Sequence, residues 1–181
     1  MKIHNKLKEG KVRTRFDLNE IIEKDTHAEL VLYKEDKEFK RVLIDIEDIN
    51  KVKKLKWHFD SRNYTKNEKN KILLHRLIMN AKKGEYVDHI NHDTLDNRKQ
   101  NLRVVTNQQN GMNRKIGVDN TSGVTGVSFN KRNNKWISQI GYNGKLKYLG
   151  YFDNLEDAMK ARRKAERKYF GDFRIKEELS I

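Results

Sequence analysis

The sequence contains no cysteine and no proline, and it has no apolar run long enough to cross a bilayer. Without cysteine there are no disulfides and no thiolate metal sites, so any bound ion must be held by His, Asp, Glu or Asn, and a reducing compartment is the natural setting. A membrane partner is not expected, because there is neither a long apolar span nor a basic amphipathic helix with Trp, Phe and Leu along one face. The opening residues, MKIHNKLKEGK, lack the apolar core of a signal peptide, so the expected location is the cytoplasm. The missing proline, in a chain rich in Lys and Asn, carries no mechanical consequence.

What is abundant is positive charge. Lys and Arg total 40 against 26 Asp and Glu, a formal net charge of +14. Neutralising phosphates with such side chains releases condensed counterions, so double-stranded DNA is the expected partner. The charges are interspersed with regularly placed apolar residues, as in a folded protein. The 181 residues give room for one ordinary domain or two to three small modules.

The expected fold class is α+β, in four parts. Residues 1–70 form a small N-terminal α+β region of unassigned role. Within it, apolar residues alternate over 28–33 and 39–46 (Leu30 and Leu32; Val42, Ile44 and Ile46) around a turn at 34–37, which predicts a hairpin. Ile49, Val52 and Leu55 follow acidic Glu47 and Asp48 at helical spacing, and Trp57 and Phe59 supply area to close a core. In residues 71–113, the segment 73–79 is helical or extended, 85–90 is a strand, 102–105 is a second strand, and Thr106 caps a helix. Residues 114–122 lie in a Gly-, Asn- and Ser-rich stretch expected to be a linker. In residues 123–181, strands are predicted over 124–129, 136–142 and 146–152, with Asn143-Gly144 as a hairpin turn. A helix then starts at a capping box of Asp153 and Glu156, carries Ala158, Ala161 and Ala165 toward the sheet, and stops near Gly171. The expectation is a three-stranded antiparallel sheet packed on one helix.

The chemistry sits in the second part. Asp88 and His89 are neighbours at the end of a predicted strand, so their side chains diverge, one able to bind a cation while the other addresses a water on a phosphate. Asn110, on the next helix, offers a neutral amide oxygen that suits Mg²⁺ better than zinc. An imidazole with an ordinary pKa near 6.5 is mostly neutral at physiological pH and fits a general base. An isolated Asp-His pair is ordinarily a turn feature, and a zinc set of His75, Asp88, His89 and His92 has neither cysteine nor regular spacing. His4, His27 and His58 are expected at the surface or in packing.

The residues VDHINHDTLDNRKQNLRVVTNQQN, preceded by LLHRLIM, resemble the HNH endonucleases of the ββα-metal class, particularly those of phages and mobile introns, over residues 73–113. The resemblance implies that Asp88 and Asn110 hold one divalent cation, Mg²⁺ or alternatively Mn²⁺, with His89 as general base and Asn101 orienting it. It implies that His75, in the LHRL segment, helps position a phosphate or the core. Asn97 and Arg98 are expected to shape the loop rather than to catalyse. His92 stands where glycine is common in the family. The implied activity is a homing-type, one-metal DNA endonuclease leaving a 5′-phosphate and a 3′-hydroxyl, acting as monomer or homodimer in a bacterial cell or phage-infected host. The alternative is a catalytically inactive DNA-binding regulator.

Residues 122–171 resemble the ethylene-response-factor (APETALA) type of DNA-binding domain, through Gly123, Gly126, Val127, Trp136, Ile140, Leu149, Gly150, Phe152, Ala158, Ala161 and Ala165. The resemblance implies a sheet in the major groove, with Trp136, Ser138 and Ile140 toward the helix. Thr125, Ser128, Asn130, Arg132, Gln139 and Tyr148, with Ile137, then face DNA, and Lys131, Lys135 and Lys145 serve phosphates. Plant-type domains carry several arginines on this face, where this chain has Thr, Ser or Gln.

Overall fold

A computed structural model describes residues 2–114 and 116–174, and the chain divides into two compact units, residues 1–105 and 106–181. Both are α+β, built on small antiparallel sheets.

In the first unit, β1 (Lys2–His4), β2 (Ile21–Glu23), β3 (Ala28–Lys34) and β4 (Lys37–Ile44) form one sheet in that order. The predicted hairpin is β3–β4. Its turn residues Glu35 and Asp36 both have positive φ, 50° and 62°, the turn whose twist matches that of paired strands. Leu30, Leu32, Val42 and Ile44 are buried as the alternation requires. Ile46 is instead 37% exposed, because the strand ends at Ile44 and a 3-10 turn over Ile46–Asp48 leads into α1 (Ile49–Val52). Trp57 is buried, with its indole N–H donating to the Val52 carbonyl at 3.0 Å.

A small sheet of β5 (His58–Phe59), β6 (Thr65–Asn67) and β7 (Ile72–Leu73) runs into α2 (Leu74–Ile78), so the LHRL segment is helical. Leu74 and Ile78, one turn apart, face inward. The hairpin of β8 (Tyr86–His89) and β9 (Leu102–Val105) completes the unit, pairing Asp88 with Arg103 and His89 with Leu102. One core joins Ile21, Leu30, Val42 and Trp57 to Leu74, Ile78 and Leu102. The N-terminal sheet and the strand carrying Asp88 and His89 therefore fold together, and truncating a residue such as Leu74 to Ala costs roughly 2–5 kcal/mol of that shared stability.

The second unit opens with α3 (Asn107–Met112), capped as predicted: Thr106 accepts from the Gln109 N–H while the Gln109 side chain accepts from the Thr106 N–H. Next come β10 (Val127–Asn130), β11 (Lys135–Tyr142), β12 (Lys145–Phe152) and α4 (Leu155–Tyr169). The three strands pair antiparallel in sequence order, and α4 packs on them around Ile140, Ala165 and Phe170. β10 starts at Val127 rather than Val124. Gly126, at φ 78°, brings the chain so close to β11 that a Cβ there would sit 2.4 Å from the Gln139 carbonyl oxygen. Arg162 on α4 is buried and donates to that same oxygen at 2.5 Å, tying helix to sheet. The helix cap is Asn154, accepting from the Asp157 N–H at 2.9 Å, rather than Asp153; Asp153 instead pairs with Lys135 at 3.0 Å.

Candidate active site

β8 delivers Asp88 and His89 side by side to a loop over residues 90–98, and both are buried, at 8% and 5% exposure. The loop is pinned by the N-terminal sheet: the Leu43 N–H donates to the Leu95 carbonyl, the Asn97 N–H donates to the Leu43 carbonyl, both at 2.8 Å, and the Asp45 carboxylate accepts from the Lys99 N–H at 2.7 Å. Within it, Arg98 grips Asp96 through Nε and Nη2, both at 2.8 Å.

Asn97, fully buried, meets His89: its Oδ1 lies 3.4 Å from His89 Nε2. Because Asn97 Nδ2 donates to the Thr94 carbonyl at 2.9 Å, the amide orientation is fixed and its oxygen must accept from the ring. That places the proton of a neutral imidazole on Nε2 and its lone pair on Nδ1.

Asn101 has another task than the one expected of it. Its Oδ1 accepts from the Asn91 N–H at 3.1 Å and its Nδ2 donates to the Asp96 carbonyl at 2.8 Å, so its amide is committed to the loop backbone and does not bond His89. The amide on His89 belongs to Asn97, a residue expected only to shape the loop.

Three rings converge here. His75, buried on α2, lies edge-on to His89 at 5.0 Å between centroids, and Tyr64 sits 5.3 Å from His75 and 6.1 Å from His89. Burial, reinforced by His89 and Arg76, lowers the His75 pKa to about 3, so it is neutral. Burial also lowers the His89 pKa, against an opposing pull from the Asn97 hydrogen bond and from Asp88, Asp93 and Asp96. Tyr64 was not among the expected site residues. The Asp60 carboxylate accepts from the N–H groups of Arg62 and Tyr64, both at 2.9 Å, a turn legible in the sequence, but nothing local says where the ring goes.

Asp88 faces Arg103 across the hairpin, and Arg103 donates to Asp88 Oδ2 from Nε at 2.9 Å and Nη2 at 2.8 Å. His92 adopts φ 63°, the left-handed conformation that glycine enters without strain, which accounts for glycine being common at this position in the family it resembles. Asn110 lies on α3 in the second unit and is partly buried. Among the described residues no cluster of three or more His, Cys, Asp or Glu is arranged to hold a metal. The carboxylate of Asp88 and the amide of Asn110 are oxygen donors, a chemistry that suits a hard ion that keeps waters and takes phosphate oxygens.

In the second unit Ser138 and Ile140 are fully buried and mark the sheet face turned toward α4. The opposite face carries Ser128, Ile137 and Gln139, with Tyr148 paired to Gln139 and Tyr151 paired to Ile137. Tyr148 and Tyr151 are 66% and 52% exposed. Thr125, Lys131, Arg132 and Lys145 are exposed in the flanking loops and strand end, while Asn130 is partly buried with its Oδ1 accepting from the Asn133 N–H at 3.1 Å. Tyr151 was missed because a bulge opposite Ser138 and Gln139 inserts a residue into β12, reversing the alternation beyond Leu149.

Residues 73–112, the segment from α2 through α3, match the family described as HNH endonuclease. Protein 3.8 of Escherichia phage T7 is 36% identical over 74 residues, 41% of this chain and 61% of that protein. An uncharacterized HNH endonuclease of Acanthamoeba polyphaga mimivirus is 31% identical over 129 residues, 67% of this chain and 66% of that protein. The chain thus spans just under two thirds of the length of these relatives. No solved structure matches it. Among the described residues no helix is long and apolar enough to cross a membrane.

Proposed function

We propose that the chain is a DNA endonuclease of homing type that hydrolyses phosphodiester bonds with His89 as general base. The observation that carries this reading is the pairing of a buried His89, its Nε2–H held by Asn97, with Asp88 next to it on β8. His89 Nδ1 takes a proton from water as the oxygen forms its bond to phosphorus. The bond from phosphorus to the 3′-oxygen breaks, leaving a 5′-phosphate and, once that oxygen is protonated, a 3′-hydroxyl. The His75 ring beside His89, kept neutral by its own burial, adds no positive charge next to the base.

Asp88 and Asn110 are the ligands this reading gives to a divalent ion, best Mg²⁺, which when bound supplies neutralisation of charge on the phosphoryl oxygens. In the second unit, Ser128, Gln139, Tyr148 and Tyr151 form the surface that reads DNA in the manner of an ethylene-response-factor domain, with Lys131, Arg132, Lys135 and Lys145 on phosphates and Thr125 and Asn130 at its border.

One observation favours the non-catalytic alternative, a DNA-binding regulator: Arg103 occupies Oδ2 of the carboxylate that would hold the cation. Incubation with supercoiled plasmid and Mg²⁺ or Mn²⁺, against a chelator control and Asp88→Asn and Asn110→Ala variants, separates the two. Metal-dependent nicking weakened by both substitutions supports the enzyme. DNA binding without nicking under any metal supports the regulator.

A further inference from the structure

The loop between β1 and β2 has no part in the site above, yet it is among the most charged segments of the chain. From Lys6 to Phe16 it carries five cations and one anion. Two of the cations are committed, Lys11 to Asp17 at 2.9 Å and Arg13 to Glu20 at 2.9 Å. Lys6, Lys8 and Arg15 are exposed, and none of the three enters an ion pair among the described residues.

The loop tip is held by many bonds. The Asp17 carboxylate accepts from the Thr14 N–H at 2.7 Å and the Thr14 hydroxyl at 2.8 Å, and the Thr14 hydroxyl oxygen accepts from the Phe16 N–H at 3.3 Å. Arg13 Nη1 donates to the Leu18 carbonyl at 2.9 Å and Lys56 Nζ to the Asp17 carbonyl at 2.5 Å. On this fixed turn Phe16 is 77% exposed, with the Arg15 guanidinium 4.8 Å from its ring centroid. A single exposed apolar residue is ordinary; an aromatic ring held out on a bonded turn beside uncommitted cations is the arrangement that contacts bases and phosphates together.

We infer that the loop 6–16 is a second DNA-contacting element, in which Lys6, Lys8 and Arg15 bind phosphates and Phe16 packs on the bases. The inference rests on the endonuclease reading for its choice of polyanion. The loop belongs to the same compact unit as Asp88 and His89, so a contact here fixes DNA to the unit that carries the general base. An acidic protein would satisfy the cations, but it gives the exposed ring no flat, stackable surface.

The test is duplex binding by the full chain in chelator, across a salt series, with 2-aminopurine at several steps of a mixed-sequence DNA. A Lys6→Ala/Lys8→Ala/Arg15→Ala variant is expected to flatten the plot of log affinity against log salt by about 0.9 per lost phosphate contact, two to three in total. Phe16→Ala is expected to keep the wild-type slope, weaken binding by roughly 5- to 100-fold, and lose the rise in 2-aminopurine fluorescence. An unchanged slope in the triple variant, with plasmid nicking by the wild type intact, overturns this loop assignment alone. If the triple variant instead loses binding to polyglutamate while keeping its DNA slope, the loop serves an acidic protein and the assignment is overturned. Failure of the wild type to bind any duplex overturns both the loop assignment and the endonuclease reading.

Discussion

Asn97 Oδ1 accepts from His89 Nε2 at 3.4 Å while Asn97 Nδ2 donates to the Thr94 carbonyl at 2.9 Å, so one buried amide fixes both the loop and the tautomer of the imidazole. Asn97→Ala is expected to lower the cleavage rate by roughly 10- to 100-fold, the usual cost of losing a group that orients an active imidazole. Asn97→Asp keeps the acceptor and should recover part of the rate, with the acid limb of the pH–rate profile moved upward by the added negative charge. Single-turnover cleavage across pH checks both; a rate for Asn97→Ala equal to wild type would remove Asn97 from the mechanism.

His75 makes stability depend on pH. Its folded pKa is about 3 against an ordinary 6.5, so the unfolded chain binds the extra proton in between. The stability this buried neutral ring contributes is complete above about 6.5 and is lost as pH falls toward about 3. Urea unfolding of the wild type should therefore weaken across that window more steeply than unfolding of a His75→Phe variant. Parallel losses in the two proteins would show that the acid sensitivity lies in the carboxylates.

The left-handed backbone at His92 makes a prediction of opposite signs for two substitutions. His92→Gly should be neutral or stabilising by up to about 1 kcal/mol, whereas His92→Val should cost at least about 1–2 kcal/mol, since a branched Cβ clashes with the following carbonyl in that conformation. Thermal unfolding of the two variants against wild type decides it, and equal effects would contradict the argument.

On the second unit's open face, Tyr148→Ala and Tyr151→Ala should each weaken duplex binding in a gel-shift titration, while Val118→Ala, at a fully exposed position in a loop, should leave it unchanged. Equal affinity for all three variants would remove the face from DNA recognition.

Much of this was legible in the sequence, and the parts that were not have identifiable physical causes. Local rules carried the β3–β4 hairpin, the Thr106 capping box, the Asn143-Gly144 turn and the β8 strand that ends in Asp88 and His89, because each is set by residues close in sequence. Within the ambiguous 73–79 segment, residues 74–78 are helical, with Leu74 and Ile78 buried in the core shared with the N-terminal sheet, which is tertiary information. Choosing Asn101 over Asn97 as the partner of His89 failed for a similar reason: both are loop asparagines, and which one meets the ring is decided by bonds from Leu43 and Asp45, more than fifty residues away in sequence. Tyr151 was hidden by a bulge, since alternation assigns faces only while the ladder is regular. Tyr64 reached the site through a turn whose direction the sequence does not encode locally.

The most direct test of the central claim is single-turnover cleavage of supercoiled DNA by His89→Ala and wild type at saturating Mg²⁺, with folding of the variant verified by its unfolding transition. Loss of the general base predicts a rate lower by roughly 10²- to 10⁴-fold with DNA affinity preserved. Equal cleavage rates for the two proteins would contradict the account.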